Sequence, residues 1–307
     1  MKTVIKVVGI GGAGGNAIDR MTECNLVGVD LIAVNTDVQD LKKIRAAKKL
    51  QIGKQSTKGL GAGMNPQLGK EAAAESREEI KGILAGADMI FLTAGLGGGT
   101  GGGAIPVVAE LARMQRALVV GIVTKPFSFE GTWRARLAEQ ALGELEGKLD
   151  ALLVIPNDKI LSMAEQDTTV LSVFWSADEI LREAVQGISD VIAKPGLINV
   201  DFADVRQVMK NAGHAMFGVG MGKGEKRVEE ALRGAFHSPL LDRSAAGAKA
   251  VLFNVTGSSD LSLAEIQQIA QDIKKQLKPN AKIIFGAGYD RQLKNGELKI
   301  TLIATGF

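Results

Sequence analysis

The sequence predicts an α/β protein with three parts. These are a Rossmann-like domain built on a parallel sheet, one long central helix, and a smaller α+β domain at the C-terminal end. Three observations carry this. Strand-length apolar runs alternate with helical patterns through the first half, one helical periodicity runs over residues 168–192, and beyond it strands outnumber helices.

Residues 3–8 form the first strand and residues 16–21 open a helix. A second strand, 31–34, ends at Asn35-Thr36-Asp37. Helical spacing rich in Ala and Glu covers 70–84, and a third strand covers 88–93. A glycine loop follows, then a helix over 105–114 that begins near Ala104. Strand 118–123, helix 134–149 and strand 151–155 complete this half, the last ending in Pro156-Asn157-Asp158. Strands alternating with helices imply a parallel sheet covered on both faces. In such sheets ligands bind beyond the carboxyl ends of the strands. The glycine-rich and polar loops here follow strands, so they fall on that edge.

In the long helix Val170, Phe174, Ala177, Leu181, Ala184, Val185 and Ile188 recur near helical spacing, and Pro195-Gly196 ends it. Strand 213–220, helix 226–236 and strand 249–255 come next. Ser262 and Glu265 form a capping box. It opens a helix whose Ile266, Ile269, Ala270, Ile273 and Leu277 share one face. Strands 282–287 and 297–304 flank an Asn295-Gly296 turn signal. No internal repeat or low-complexity tail is present.

Composition narrows the class. In 307 residues, 46% are hydrophobic and 23% charged, which describes a soluble globular protein. Aromatics are only 4% beside 38 glycines, so the core is aliphatic and many loops need tight turns or close backbone approach. A net charge of +3 argues against an electrostatic nucleic-acid binder. The basic stretches 42–49 and 274–282 read as solvated helix faces. Cys24, the single cysteine, excludes an intramolecular disulfide framework and any cysteine-rich metal site. It reads as a packing residue, and His214 and His237 as structural ones. Met1-Lys2-Thr3 leads straight into a strand with no signal-peptide pattern, and no apolar run approaches a membrane span. The expectation is a cytoplasmic protein in a reducing compartment, with no direct membrane binding.

Two glycine loops carry the chemistry. Residues 7–17 read VVGIGGAGGNA, in which Gly9, Gly11 and Gly14 satisfy G-x-G-x-x-G directly after a strand. Alone this is a weak signal. It admits a dinucleotide site, with Asn35 and Asp37 at about the distance of a ribose-binding acid, and equally a plain tight turn. Residues 95–103 read GLGGGTGGG, with seven glycines between a strand and a helix. No tight turn needs so many. Consecutive glycines let several N–H groups converge on one anion, and a helix N-terminus adds its dipole. A second such loop on the same edge is surplus for one pyrophosphate and suits a nucleoside triphosphate gripped from two sides. No G-x-x-x-x-G-K-[ST] occurs, which excludes a P-loop NTPase.

At this point the chain resembles FtsZ, the bacterial and archaeal tubulin homologue. GLGGGTGGG is similar to the tubulin/FtsZ signature loop. The resemblance continues in order through GIGGAGGNA, AVNTD, GLGAGMNP, KPFSFEG, IPND, AVQGI, INVDFADVR, SPLLD and the closing TLIATGF. It implies a tubulin/FtsZ-like fold with a GTP-binding domain over 1–167, a central helix over 168–193 and a C-terminal domain over 194–307. It also implies GTP/GDP as ligand with Mg2+, a monovalent cation near the catalytic loop, and self-association into head-to-tail protofilaments in cell division.

Residue by residue, the resemblance assigns Gly12, Ala13, Gly14, Gly15 and Asn16, with Gly98, Gly99, Thr100 and Gly101, to the phosphates and ribose. Residues 59–65, including Gly63, look like the loop near the terminal phosphate. Glu130 and Arg134 match residues on the ribose side, although their spacing alone reads better as a surface i,i+4 ion pair. Asn157 and Asp178 match the positions that hold guanine. Chemistry supports Asp178, since a carboxylate accepts from both the ring N–H and the exocyclic amine of guanine, and adenine offers no such pair. Phe174, one turn earlier, is placed to stack on the base or to pack in the core.

The glycine loops contain no obvious general base. The stretch 199–204 matches the family's catalytic loop, in which Asn199, Asp201 and Asp204 act on the neighbouring subunit's nucleotide. From spacing alone, helix capping by an Asp accounts for it equally well. Departures from the family pattern are Gly102, where Thr or Ser is commoner, Glu179, Trp175 and Trp133. The chain stops at Phe307, where the family's folded core normally finishes, so the usual linker and tail are missing and tail-binding adaptors are not expected. Alternatives are a filament protein with weak or no hydrolysis and a role outside standard division, and an NAD-dependent oxidoreductase.

Overall fold

The structure is a computed structural model that describes residues 3–26, 28–161, 168–193, 196–236, 247–290 and 293–307. Pro195, His237 and the SPLLD match lie outside the described residues. The chain divides into two compact units, Met1–Gln186 and Gly187–Phe307.

The first unit is built on strands β1 (Ile5–Ile10), β2 (Val29–Asn35), β3 (Lys48–Gln51), β4 (Met89–Gly95), β5 (Leu118–Lys125) and β6 (Ala151–Pro156). They pair in the order β3-β2-β1-β4-β5-β6, every pair parallel. All six residues of β1 are buried, as are the first six of β4, which is the pattern of strands covered on both faces. Helices α1 (Gly11–Glu23), α2 (Val38–Lys43), α3 (Pro66–Glu75), α4 (Arg77–Leu84), α5 (Gly99–Met114), α6 (Thr132–Leu145) and α7 (Asn157–Leu161) supply the cover. The core is aliphatic, centred on Val8, Ile10, Leu92, Ile105, Val108 and Val123. From β1 the chain winds outward through β2 to β3, and from β4 it winds the other way to β6. The switch point therefore lies between the carboxyl ends of β1 and β4.

Three expectations are corrected here and one strand is added. Helix α1 begins at Gly11, not near residue 16, and α5 at Gly99, not near Ala104. Glycine lowers intrinsic helix propensity, but packing overrides it. The helix read over 70–84 is two helices broken at Ser76. Ser76 Oγ accepts from Gly53 N, and Glu75 accepts from Gln55 N and Ser56 N, so both side chains are committed to the preceding loop. Strand β3 was not anticipated, because Lys48-Lys49-Leu50-Gln51 carries no apolar alternation and two of its four residues are exposed. It is an edge strand marked by lysine.

Helix α8 (Val170–Ala193) crosses the division between the units at Gln186. The second unit then holds α9 (Phe202–Met209), β7 (Gly213–Lys223), α10 (Arg227–Phe236), β8 (Ala250–Gly257), α11 (Leu263–Gln276), β9 (Lys282–Tyr289) and β10 (Glu297–Thr305). Strand β10 lies antiparallel between β7 and β8, and β9 pairs parallel with β8. The Asn295-Gly296 signal is a turn, with Gly296 at φ 84°, but it does not join paired strands. Strand β8 intervenes, because the crossover through α11 makes β8 and β9 the parallel neighbours. The Ser262/Glu265 capping box is present, and Ile266, Ile269 and Ile273 are buried on the predicted face.

Candidate active site

Strand β1 delivers the chain into α1 through Gly11, whose φ of 72° only glycine adopts without strain. A Cβ there would lie 3.0 Å from Gly101 N, so the N-termini of α1 and α5 adjoin at the switch point. Neither first turn contains an acidic residue, and neither Ile10 nor Gly98 caps its helix with a side chain. Two positive helix ends thus meet with their first N–H groups unspent by side chains, which is an anion site by construction.

The glycines divide into two kinds. At Gly14, Gly99 and Gly101 a Cβ would fall 2.5 Å from a neighbouring carbonyl oxygen, and at Gly15 it would strike Ile44. Those are required by packing. Gly98 has nothing within 4 Å in the Cβ direction, and Gly12 meets only Asp40 Oδ2 at 3.6 Å, so these two border open space. Ala13 packs beside Gly95, and Asn16 is exposed. Gly102 belongs to the helix rather than to the loop before it. It is buried inside α5, and a Cβ there would face Ala141 of α6 at 3.4 Å.

The flanking loops are tied to the cradle. Gly99 N donates to Gly63 O at 2.8 Å, with Gly63 at φ 55°, and Asn65 caps α3. The hydroxyls of Thr100 and Thr36 are 2.6 Å apart. Asn35 Nδ2 donates to Asp40 Oδ2 at 2.8 Å, which fixes that carboxylate beside Gly12. Sequence reasoning missed Asp40. A carboxylate bordering a phosphate cradle suits a site in which a divalent cation lies between them.

Asn157 and Asp178 are both buried, 6% and 9% exposed. Asn157 Oδ1 has no hydrogen-bond partner among the described residues, an acceptor that burial makes costly to leave empty. Burial pushes the Asp178 carboxyl up to about 7, with the Arg20 charge pulling the other way. Phe174 is neither fully core nor free. It is 39% exposed and meets Phe127 edge-on at 5.1 Å, while Phe127 stacks on Phe129 at 5.0 Å. Glu130 and Arg134 form the i,i+4 ion pair at 2.6 Å, and Glu130 also accepts from Phe127 N at 2.9 Å. Arg20 was also missed: the sequence of α1 gave no sign that it meets Trp175 and Glu179.

In the second unit, the 199–204 stretch is stapled down by paired backbone bonds between Ile198 and Ala287, at 3.0 and 3.1 Å. Asp201 occupies the N-cap position of α9 but makes no side-chain cap bond. Its backbone carbonyl takes Asp204 N, and its carboxylate is exposed. Asp204 is half-buried in the first turn. The capping explanation for Asp201 therefore fails in its side chain. Asn199 differs: its Oδ1 accepts from Gly196 N at 2.7 Å, and it lines a cleft with Gly187, Asn254 and Thr301 that neither aspartate lines.

The fold and this edge define the class, a doubly wound α/β protein with an anion-binding, nucleotide-type site at its switch point. Residues 4–165 match the tubulin/FtsZ family GTPase domain and residues 213–307 the FtsZ family C-terminal domain. The chain belongs to the tubulin/FtsZ family, on its FtsZ side. Among solved structures it is similar to an empty FtsZ dimer from M. jannaschii, with 46% identity and a TM-score of 0.93 over 100% of this chain and 89% of that one. A GTPγS-bound CetZ2 protofilament from Haloferax volcanii shares the fold at 22% identity, TM-score 0.83, over 98% and 92% of the two chains. Among the described residues no helix is long and apolar enough to cross a membrane.

Proposed function

We propose that the chain binds GTP at the α1/α5 edge, hydrolyses it, and polymerises head to tail. The single observation that carries the reading is the meeting of two acid-free helix N-termini at the switch point, with Thr100 among their donors. Gly12, Ala13, Asn16, Gly98, Thr100 and the backbone N–H of Gly101 hold the phosphates, and Gly14, Gly15 and Gly99 provide the close packing that shapes the two loops around them. Gly63 closes their outer side. Glu130 and Arg134 lie toward the ribose. Guanine donates to Asp178, fills the vacant bonding of Asn157 and packs on Phe174. Asp40 and Thr100 would hold Mg2+, which would neutralise charge on the terminal phosphates.

Asp201 and Asp204 supply the hydrolytic half to the neighbouring subunit's nucleotide, orienting water with a monovalent cation beside them, and Asn199 positions their loop. A heterologous contact of this kind propagates into an open filament. The division into a nucleotide domain, central helix and C-terminal domain carrying the catalytic loop belongs to the same reading. So do a cytoplasmic location and a role in cell division, both of which rest on family membership. Phosphate release per subunit, measured across protein concentrations, tests it. Specific activity is expected to climb with concentration and then level off, and a flat profile would sink catalysis in trans. Asp204→Ala is expected to bind GTP with turnover reduced at least about a hundredfold.

A further inference from the structure

We infer that Arg20 is a positioning residue for guanine recognition, a role that rests on the nucleotide reading above. Arg20 lies on α1, eight residues beyond Gly12, and so about 12 Å along the helix from the phosphate end. Its guanidinium sits 4.8 Å from the centre of the Trp175 ring, and Nη2 reaches Glu179 Oε2 at 3.5 Å while Nη1 binds Glu23 at 3.1 Å. Trp175 and Glu179 bracket Asp178 on one turn of α8. A single planar cation therefore ties the helix that offers its N-terminus to the phosphates to the turn that carries the base-reading carboxyl.

Two further facts favour a role in recognition over plain scaffolding. Arg20 Nε is buried and has no acceptor among the described residues, so the side chain is held for its outer contacts at some cost. Arg20 is also the positive charge that opposes burial at Asp178, and it favours the ionised form that guanine's N1–H and 2-amine require. The charged groups around that turn are Arg20 and Glu23 from α1, and Glu179, Arg182 and Glu183 from α8 itself. Arg182 binds Glu179 Oε1 at 2.6 Å, so Glu179 is shared between two guanidiniums and stays ionised. Lysine cannot reproduce this, because a point charge cannot lie flat on an indole and reach a carboxylate edge-on at once.

The consequence is selective. Losing Arg20 weakens reading of the base and leaves the phosphate end intact. Calorimetric titration of the nucleotide-free full chain with GDP, IDP, ADP and inorganic tripolyphosphate, between pH 6 and 8, tests this. IDP lacks only the 2-amine, so the GDP/IDP ratio reports how well Asp178 is presented. Arg20→Met is expected to lower GDP affinity about tenfold and the GDP/IDP ratio about fivefold, with tripolyphosphate unchanged. The pH at which GDP affinity rises moves upward. Arg20→Lys recovers that pH but only part of the ratio. Glu179→Gln, which keeps the Trp175 contact and the helix intact, lowers the ratio by a smaller factor.

Equal losses for GDP and IDP in Arg20→Met and Glu179→Gln, with no change in the pH profile, would mean that Arg20 merely holds the fold. A wild-type protein that binds GDP, IDP and ADP alike overturns the guanine reading itself, and that result appears without any variant.

Discussion

At the scale of the residue, Asp178 is the most consequential group, because its charge state serves stability and binding in opposite senses. Its carboxyl is raised from the usual value near 3.8 to about 7, chiefly by burial. An acid raised in the folded state contributes stability that is fully present below the unfolded value and is lost as pH climbs through the folded one. The empty protein is therefore expected to lose a few kcal/mol between about pH 4 and pH 7 from this group alone. Asp178→Asn escapes that loss, so it melts higher than wild type at pH 8 without nucleotide, and the gap closes at pH 4. Guanine affinity runs the other way. On the guanine reading proposed above it needs the carboxylate, so wild-type GDP binding is expected to strengthen from pH 6 to 8, with Asp178→Asn binding weakly and without that slope. Thermal melts and GDP titrations over this range check both limbs.

Most candidate residues were proposed from the sequence because their types are tied to chemistry, as with a carboxylate for guanine or Asp201 and Asp204 three apart. Arg20 and Asp40 were not. Each acts through partners distant in sequence, Arg20 through Glu179 and Asp40 beside Gly12, and no local pattern marks such contacts.

At the scale of the element, the misread starts of α1 and α5 share a cause. Helices α1 and α5 begin inside glycine runs because the backbones must approach one another, and propensity reasoning penalises the residues that allow it. Strand β7 repeats the device. Gly218, Gly220 and Gly222 leave room for the carbonyls of Ala235, Ala231 and Arg227, letting α10 lie flat on the sheet.

The α10 to α11 connection rests on Arg227, a buried cation that binds Glu265 through Nε and Nη2 at 2.5 and 2.8 Å and Asp260 through Nη1 at 2.7 Å. Arg227 holds Glu265 down to about 2 by its side-chain bonds, and Ser258 with Arg227 does the same for Asp260. Depressed carboxylates contribute stability that is present above their unfolded values and lost as pH falls toward 2. Arg227→Met is expected to cost about 2 kcal/mol at pH 7, and less as the pH drops below about 4, because the wild type then loses the same interaction. Urea melts at pH 7 and pH 3 give the comparison. The capping box of α11 was readable from Ser262 and Glu265, but the second partner of Glu265 was not. An arginine 38 positions away leaves no periodic trace.

At the scale of the whole molecule, the proposed chemistry divides one active site between two copies of the chain. The proposed nucleotide-binding residues fall within the first unit and the aspartate loop within the second. The sequence pattern gave that division directly, since the glycine loops precede the long helix and Asp201 and Asp204 follow it. The family resemblance assigns these carboxylates to a neighbour's nucleotide, and complementation tests that assignment against their serving their own. Asp178→Ala is expected to lose nucleotide binding with its aspartate loop intact, and Asp204→Ala to bind nucleotide without hydrolysing it. Each alone is inactive. In an equimolar mixture with excess GTP, about a quarter of randomly formed contacts place an intact pocket against an intact loop. Phosphate release from the mixture should then rise well above the sum of the separate variants, and should fade on dilution as contacts dissolve. If hydrolysis were completed within a single chain, no mixing ratio could restore it, because every molecule would still lack one half of the site.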